Sequence, residues 1–118
     1  MGNFRELKVW QKSKDLAVRI YKLTNSGKIS KDYDLRGQIR KSAVSIPSNI
    51  AEGDELGTDK QSIRHFNIAK GSSAELLTQL IIAYEVDYFT EDIYNELEKE
   101  CLEISSMLHG LIKHRSQE

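Results

Sequence analysis

The spacing of apolar residues along the chain predicts four amphipathic helices. Apolar side chains recur at steps of three and four over four segments, which puts them on one face of a helix. The segments are residues 7–24, residues 34–53, residues 58–85 and a last segment that begins after Thr90. The breaks between them are short, so consecutive helices should run in opposite directions. The pattern predicts a single all-α domain over residues 1–118, an antiparallel up-down-up-down four-helix bundle.

Capping residues indicate where three of these helices begin. Asp32 or Asp34 suits the N-cap of the second helix, Thr58 that of the third and Thr90 that of the last. Their side-chain oxygens can accept a hydrogen bond from a free backbone N–H in the first turn. The two ends of the chain, residues 1–5 and 115–118, are expected to fray.

The only proline, Pro47, lies inside the second predicted helix. Proline lacks the N–H that a helix needs, and its ring crowds the carbonyl one turn earlier, so the helix should kink or restart there. Gly53 should then end it. Asn49 and Glu52 stand one turn apart beside the apolar face. No base or set of metal ligands accompanies them, which favours a structural polar cluster over a catalytic pair.

Gly71 and Ser72 interrupt the third predicted helix with small side chains. A glycine in a helix interior costs about 1 kcal/mol relative to alanine, so something should compensate. The simplest compensation is close approach of another helix. The predicted kink around residues 47–51 is the candidate, with Asn49 or Glu52 meeting Ser72 or the backbone near Gly71.

Several separated motifs, read in order, resemble a known family. Trp10 belongs to the first of them, and Pro47 and Gly71 belong to two others. The motifs are residues 7–12, 20–24, 38–44, 45–53, 68–72 and 75–80. Over roughly residues 4–111 they resemble the bacterial four-helix-bundle family encoded in intervening sequences of 23S ribosomal RNA genes.

This resemblance implies a small antiparallel bundle that associates as a ring-like pentamer. It also implies similarity to the accessory variability determinant of diversity-generating retroelements. That protein binds nucleic acid and its reverse transcriptase through basic surfaces. A nucleic-acid-processing protein is therefore an expected partner, together with RNA or DNA.

Charge is distributed unevenly along the chain. Residues 1–41 hold eleven Lys/Arg and four Asp/Glu, a net of +7, whereas residues 42–118 hold six and fourteen, a net of −8. The basic third predicts either a surface for an anionic partner or pairing with the acidic helices. The candidate phosphate contacts are Lys8, Lys12, Arg19, Arg36, Arg40 and Lys41. Tyr21 and Tyr33 lie near them and could stack on bases.

Composition and motifs argue against membrane, secreted and enzymatic classes. No apolar run approaches 18 residues, and the first residues form no apolar signal region, so neither a membrane span nor secretion is expected. The single Cys101 fits a reducing cytoplasm and lies on an apolar stripe, which predicts a buried structural thiol. The histidines have no H-E-x-x-H spacing, and no phosphate-binding glycine loop is present. We expect no catalytic residues, no cofactor and no metal.

Two functions remain open from the sequence. One is an oligomeric scaffold that acts with RNA or a ribonucleoprotein, and the other is an oligomeric protein-interaction module with no nucleic-acid ligand. Both include a homo-oligomer, because apolar residues lie off the main stripes of the second and third helices. Those residues are Val44, Ala51, Ile68 and Ile82. A pentamer is the favoured form through the family resemblance.

Overall fold

The computed structural model describes residues 2–56 and 58–116. The four α-helices are α1 (Lys8–Leu23), α2 (Tyr33–Glu55), α3 (Asp59–Glu85) and α4 (Glu91–Ser116). Two short 3-10 helices, Phe4–Glu6 and Lys28–Lys31, precede α1 and α2. The described residues contain no strand. The predicted all-α, four-helix fold is confirmed.

Side-chain caps hold the starts of α2, α3 and α4. Asp32 Oδ1 accepts from the backbone N–H three residues later at 3.1 Å, so Asp32 rather than Asp34 is the N-cap of α2. Thr58 and Thr90 accept in the same way at 3.2 Å and 3.3 Å. The predicted capping residues therefore perform the role expected of them.

The apolar faces of the helices meet in one elongated core. Helix α2 packs against α1 and α3, and α4 packs against α3 and α1. The Cα atoms extend over 46 × 20 × 20 Å. The largest fully buried side chains are Phe66, Leu16, Ile20, Ile29, Ile39, Ile46, Ile50, Leu76, Leu80, Leu97, Ile104 and Leu108. None of the helices in the described part of the chain is both long and apolar enough to cross a membrane.

Polar contacts between α2 and α3 occur in opposite order along the two helices. The pairs are Ser42 with Glu75 at 2.8 Å, Ser45 with Ser72 at 2.9 Å, and Asn49 with His65 at 3.1 Å. The residue numbers of the partners in α3 decrease as those of the residues in α2 increase. The up-down-up-down course of all four helices stays a prediction, as does a kink at Pro47.

Helix α2 continues through Pro47 to Glu55, so it neither restarts at the proline nor ends at Gly53. Gly53 is buried because α3 comes close. A Cβ at Gly53 would lie 2.6 Å from Cε1 of Phe66 and 3.1 Å from the Ser62 carbonyl oxygen. Ser62 Oγ also donates to the Gly53 carbonyl at 2.6 Å. The glycine therefore permits close packing of α2 on α3.

The predicted close approach at Gly71 is wrong within one chain. A Cβ at Gly71 would meet nothing within 4 Å, and the residue is exposed in the middle of α3. Of the two glycines it is Gly53 that lies against the facing helix, although α2 does contact α3 beside Gly71, where Ser45 and Ser72 are 2.9 Å apart.

The end of α4 is tied to α2, so the fraying predicted for residue 115 is wrong. Arg115 Nη2 donates to Asp54 Oδ1 at 3.0 Å, and its guanidinium carbon lies 5.3 Å from the centre of the Phe66 ring. Near the start of the chain, the rings of Phe4 and Trp10 meet edge to face at 5.1 Å. Residues 1, 117 and 118, for which fraying was also predicted, lie outside the described residues.

Candidate nucleic-acid interface

Two of the candidate basic residues are paired with acidic residues of α4. Lys12 Nζ lies 3.0 Å from a carboxylate oxygen of Glu103. The Arg19 guanidinium lies 3.4 Å from Glu96 and 3.5 Å from Glu100. Pairing between the basic and acidic helices, one of the two alternatives for the basic third, therefore holds for these residues. Their charge is offset within the chain.

Arg36 has no carboxylate partner within 4.0 Å among the described residues. Its Nη1 donates to the Ser30 carbonyl at 2.8 Å, and its guanidinium carbon lies 4.9 Å from the centre of the Tyr33 ring. The Tyr33 side chain is strongly exposed, at 73%. The arginine is thus oriented without being neutralised.

Arg40 is held in the same manner one turn later. Its Nε donates to Thr24 Oγ1 at 2.9 Å, its Nη2 donates to the Tyr21 carbonyl at 3.3 Å, and its guanidinium carbon lies 4.4 Å from the centre of the Tyr21 ring. No described carboxylate lies within ion-pair distance of it either. A guanidinium over an aromatic face keeps donors free for a further acceptor.

The connection between α1 and α2 positions both arginines. Gly27 takes a positive φ of 76°, which starts the 3-10 helix Lys28–Lys31. Ile29 is buried and anchors that helix on the core, and this fixes the Ser30 carbonyl that receives Arg36. Thr24 is buried and donates from its Oγ1 to the Ile20 carbonyl at 2.7 Å, so its oxygen faces Arg40 as an acceptor.

The surface around these arginines is basic. Residues 21–41 hold six Lys/Arg and two Asp/Glu. Both acids are engaged locally: Asp32 caps α2 and accepts from Tyr88 Oη at 2.8 Å, and Asp34 accepts from Gln38 at 3.3 Å. The hydrogen bond to Asp32 raises the pKa of Tyr88 above 10.0. We call this surface the basic end. Its residues are Lys22, Lys28, Lys31, Arg36, Arg40 and Lys41.

The structure therefore brings together only part of the predicted basic set. Arg36 and Arg40 lie at the basic end through their contacts with residues 21–30, and Lys41 is the exposed residue that follows Arg40 in α2. Lys8 is exposed in the first turn of α1, about 20 Å along the helix from Tyr21. Sequence reasoning missed Lys28 and Lys31, although their position at the break of residues 25–28 was visible. Helical spacing does not apply across such a break.

The predicted polar cluster around Asn49 and Glu52 is present, with partners different from those expected. Asn49 Nδ2 donates to the Ser45 carbonyl at 2.9 Å, and it is Ser45, not Asn49, that contacts Ser72. His65 Nδ1 lies 3.1 Å from Asn49 Oδ1 and 3.2 Å from a Glu52 oxygen. Both neighbours are acceptors, so Nδ1 carries the proton. The cluster joins α2 to α3.

Reactive groups in the described part of the chain are few. Cys101 is buried in α4, and burial, with smaller contributions from Glu100 and Glu98, raises the pKa of its thiol to about 12. The thiol is protonated near neutral pH and serves packing. Within residues 2–56 and 58–116, no group of three or more His, Cys, Asp or Glu side chains is arranged to hold a metal ion.

Comparison with known proteins agrees with the motifs. The model of a family described as 23S rRNA-intervening sequence protein matches residues 5–110. A crystal structure of a protein with unknown function from the S23 ribosomal protein family of Bacteroides thetaiotaomicron is 30% identical, with a TM-score of 0.82. The match covers 89% of this chain and 98% of that chain. A search of curated proteins gave no match. The chain belongs to the 23S rRNA-intervening sequence protein family.

Proposed function

We propose that the protein is a non-enzymatic oligomeric scaffold that associates with RNA or a ribonucleoprotein through its basic end. The observation that carries this proposal is the contrast between two pairs of basic residues. Lys12 and Arg19 are paired with acids of α4, whereas Arg36 and Arg40 are oriented by neutral groups and keep their charge available.

The geometry of the basic end suits a phosphate backbone. Phosphate oxygens accept from guanidinium donors, and such contacts position a protein without reading sequence. Tyr33 is exposed beside Arg36 and offers a face on which an unpaired base can stack. Such stacking is worth about 1–3 kcal/mol per base. Single-stranded RNA is accordingly the preferred ligand of this proposal.

Exposed apolar side chains support the oligomeric part. Val18, Val44, Ile68 and Ile82 are each exposed by more than two fifths. A homo-oligomer would cover them, and a pentamer is the form that the family resemblance favours. Several basic ends in one assembly would add weak contacts into useful avidity, provided that one strand reaches more than one copy.

The test is a fluorescence-anisotropy titration with single- and double-stranded RNA and DNA at low salt. The variant Arg36→Glu with Arg40→Glu should weaken binding at least tenfold while circular dichroism stays helical. The matched control is Lys99→Glu with Lys113→Glu, the same charge change on exposed residues of α4. Equal losses in the two variants would show that only net charge matters and would contradict a role for the basic end.

The alternative function is an oligomeric protein-interaction module with no nucleic-acid ligand. A specific observation favours it: Lys12 and Arg19 are paired with acidic residues of α4, which leaves fewer cations of the basic third for a nucleic acid. Absence of binding to every nucleic acid at tens of micromolar protein would select this alternative.

A further inference from the structure

Two exposed apolar surfaces are formed by different helices of the chain. The first is a groove of about 400 Å³ between α1 and α2, which we call the α1–α2 groove. Its apolar lining and its two lysines are Ala17, Val18, Tyr21, Val44, Pro47, Lys14 and Lys22. Val18 and Val44 are exposed, so a single copy of the chain leaves the groove open to solvent.

The second surface is the outer face of α3. Ile68, Gly71, Glu75 and Ile82 follow one another at steps of three, four and seven, which places them on one helical stripe. Ile68 is 42% exposed and Ile82 is 47% exposed. We call this stripe the α3 ridge.

No contact among the described residues of one chain explains why the ridge has a glycine at position 71. A mid-helix glycine costs about 1 kcal/mol relative to alanine. A Cβ at this position would meet open space, so no neighbouring element of the same chain requires the glycine. Gly37 and Gly110 are equally open, so the open space alone assigns no partner. Gly71 differs from them in lying between two exposed isoleucines of one stripe, where close approach of a second chain would account for it, because glycine lets another backbone or side chain reach the helix.

We propose that the α3 ridge of one copy docks into the α1–α2 groove of the next copy. This inference rests on the oligomeric part of the proposed function and specifies the faces that meet. The two surfaces are complementary in chemistry. The ridge offers two exposed isoleucines to an apolar floor. Its Glu75 is opposite in charge to Lys22, which has no carboxylate within 4.0 Å among the described residues, whereas Lys14 is already paired with Asp15 at 2.7 Å.

The dimensions of the two surfaces agree. Ile68 and Glu75 are seven residues apart, about 10 Å along α3, and Lys14 and Lys22 are eight residues apart, about 12 Å along α1. Ile68 can therefore lie within the groove while Glu75 reaches Lys22 at its end. Glu75 is already held at the surface, since Ser42 Oγ donates to it at 2.8 Å.

Docking between unlike surfaces has a consequence for assembly. Each copy uses its groove once and its ridge once, so copies join head to tail. Such contacts form a ring when the rotation between copies closes, and a filament when it does not.

The experiment compares two variants by light scattering after size-exclusion chromatography. The groove variant is Val18→Asp with Val44→Asp, and the ridge variant is Ile68→Asp with Ile82→Asp. All four residues are exposed, and circular dichroism checks that the helices persist. In each variant alone, the dissociation constant of the assembly should rise at least tenfold. The two variants are then mixed in equal amounts at a concentration well above the wild-type dissociation constant. The mixture should give a species with the mass of two chains, because the intact ridge of the groove variant meets the intact groove of the ridge variant.

Two controls accompany the pair. Leu102→Asp changes an exposed apolar residue of α4, 54% accessible, and should leave the assembly intact. Gly71→Ala should weaken assembly, whereas Gly37→Ala, another exposed helical glycine, should not.

Other outcomes overturn the inference in distinguishable ways. A ridge variant that keeps the wild-type mass, a mixture that stays monomeric, or dissociation by Leu102→Asp would show that other faces meet. A groove variant that keeps its mass and loses RNA binding would assign the groove to nucleic acid. A monomeric wild-type chain would refute the oligomeric part of the proposed function as well, whereas anisotropy with Arg36→Glu and Arg40→Glu tests the RNA part separately.

Discussion

At the scale of single residues, two glycines in helix interiors have opposite surroundings. Gly53 faces the Phe66 ring, where a Cβ would come within 2.6 Å, whereas Gly37 of the same helix has nothing within 4 Å. Gly53→Ala should therefore lower the free energy of unfolding by about 1–3 kcal/mol through overpacking. Gly37→Ala should raise it by up to about 1 kcal/mol. Urea denaturation measures both, and equal effects would contradict the packing assigned to Gly53.

Two buried acids should make stability fall at alkaline pH. Burial raises the pKa of Cys101 from 9.0 to about 12, and burial with a hydrogen bond to Glu98 raises that of Tyr94 from 10.0 to about 12. Both groups are neutral in the folded chain, and the unfolded chain loses these protons at lower pH. Their contribution is complete below about pH 9 and is lost as the pH rises toward about 12.

Cys101→Ala isolates the contribution of the thiol. The remaining decline, followed by urea denaturation at successive pH values, should begin nearer pH 10, where unfolded tyrosine titrates. An unchanged onset near pH 9 would show that the thiol is not the group responsible.

At the scale of helices, local signals in the sequence predicted the elements well. The start of α3 matches because Thr58 is a cap that acts within one turn, and the apolar period continues to Glu85. The end of α2 was predicted at Gly53 and lies at Glu55. Gly53 does not end the helix, because its role is to leave room for the Phe66 ring of α3. A tertiary contact of this kind leaves no periodic signal.

The candidate site was predicted only in part, for a related reason. Spacing placed Arg36 and Arg40 on one side of α2, and both lie at the basic end. It could not show that Lys12 and Arg19 would be paired, because that depends on how α1 and α4 are rotated about their axes. In the same way, spacing predicted Ser72 as a partner of Asn49, whereas the rotation of α3 about its axis places His65 beside Asn49.

The contact between α2 and α4 is a buried ion pair. Arg115 donates to Asp54, whose side chain is only 6% exposed. Arg115→Leu would leave that carboxylate buried without its partner, at a cost of about 3–5 kcal/mol. Adding Asp54→Asn should recover part of the loss. Thermal or urea unfolding compares these variants with Lys113→Leu, an exposed neighbour expected to change little.

At the scale of the whole molecule, basic and acidic residues are separated along the sequence, and the fold brings some of them together as ion pairs. The first 41 residues carry +7 and the rest −8. Contacts between α1 and α4 offset part of that basic charge, and the remainder concentrates where α1 is joined to α2. A chain of net charge −1 can therefore present a basic surface to an anionic ligand.

If several basic ends of one assembly bind the same strand, the salt dependence of the RNA affinity should show it. For single strands, the slope of log affinity against log salt is about −0.7 per phosphate neutralised. Copies that share one strand add their contacts. The ridge variant Ile68→Asp with Ile82→Asp leaves every residue of the basic end unchanged, so it should bind long single-stranded RNA more weakly and with a shallower slope. On an oligonucleotide too short to reach a second copy, it should match the wild type. Anisotropy titrations over a salt series measure both lengths, and equal slopes on long RNA would mean that one copy binds alone.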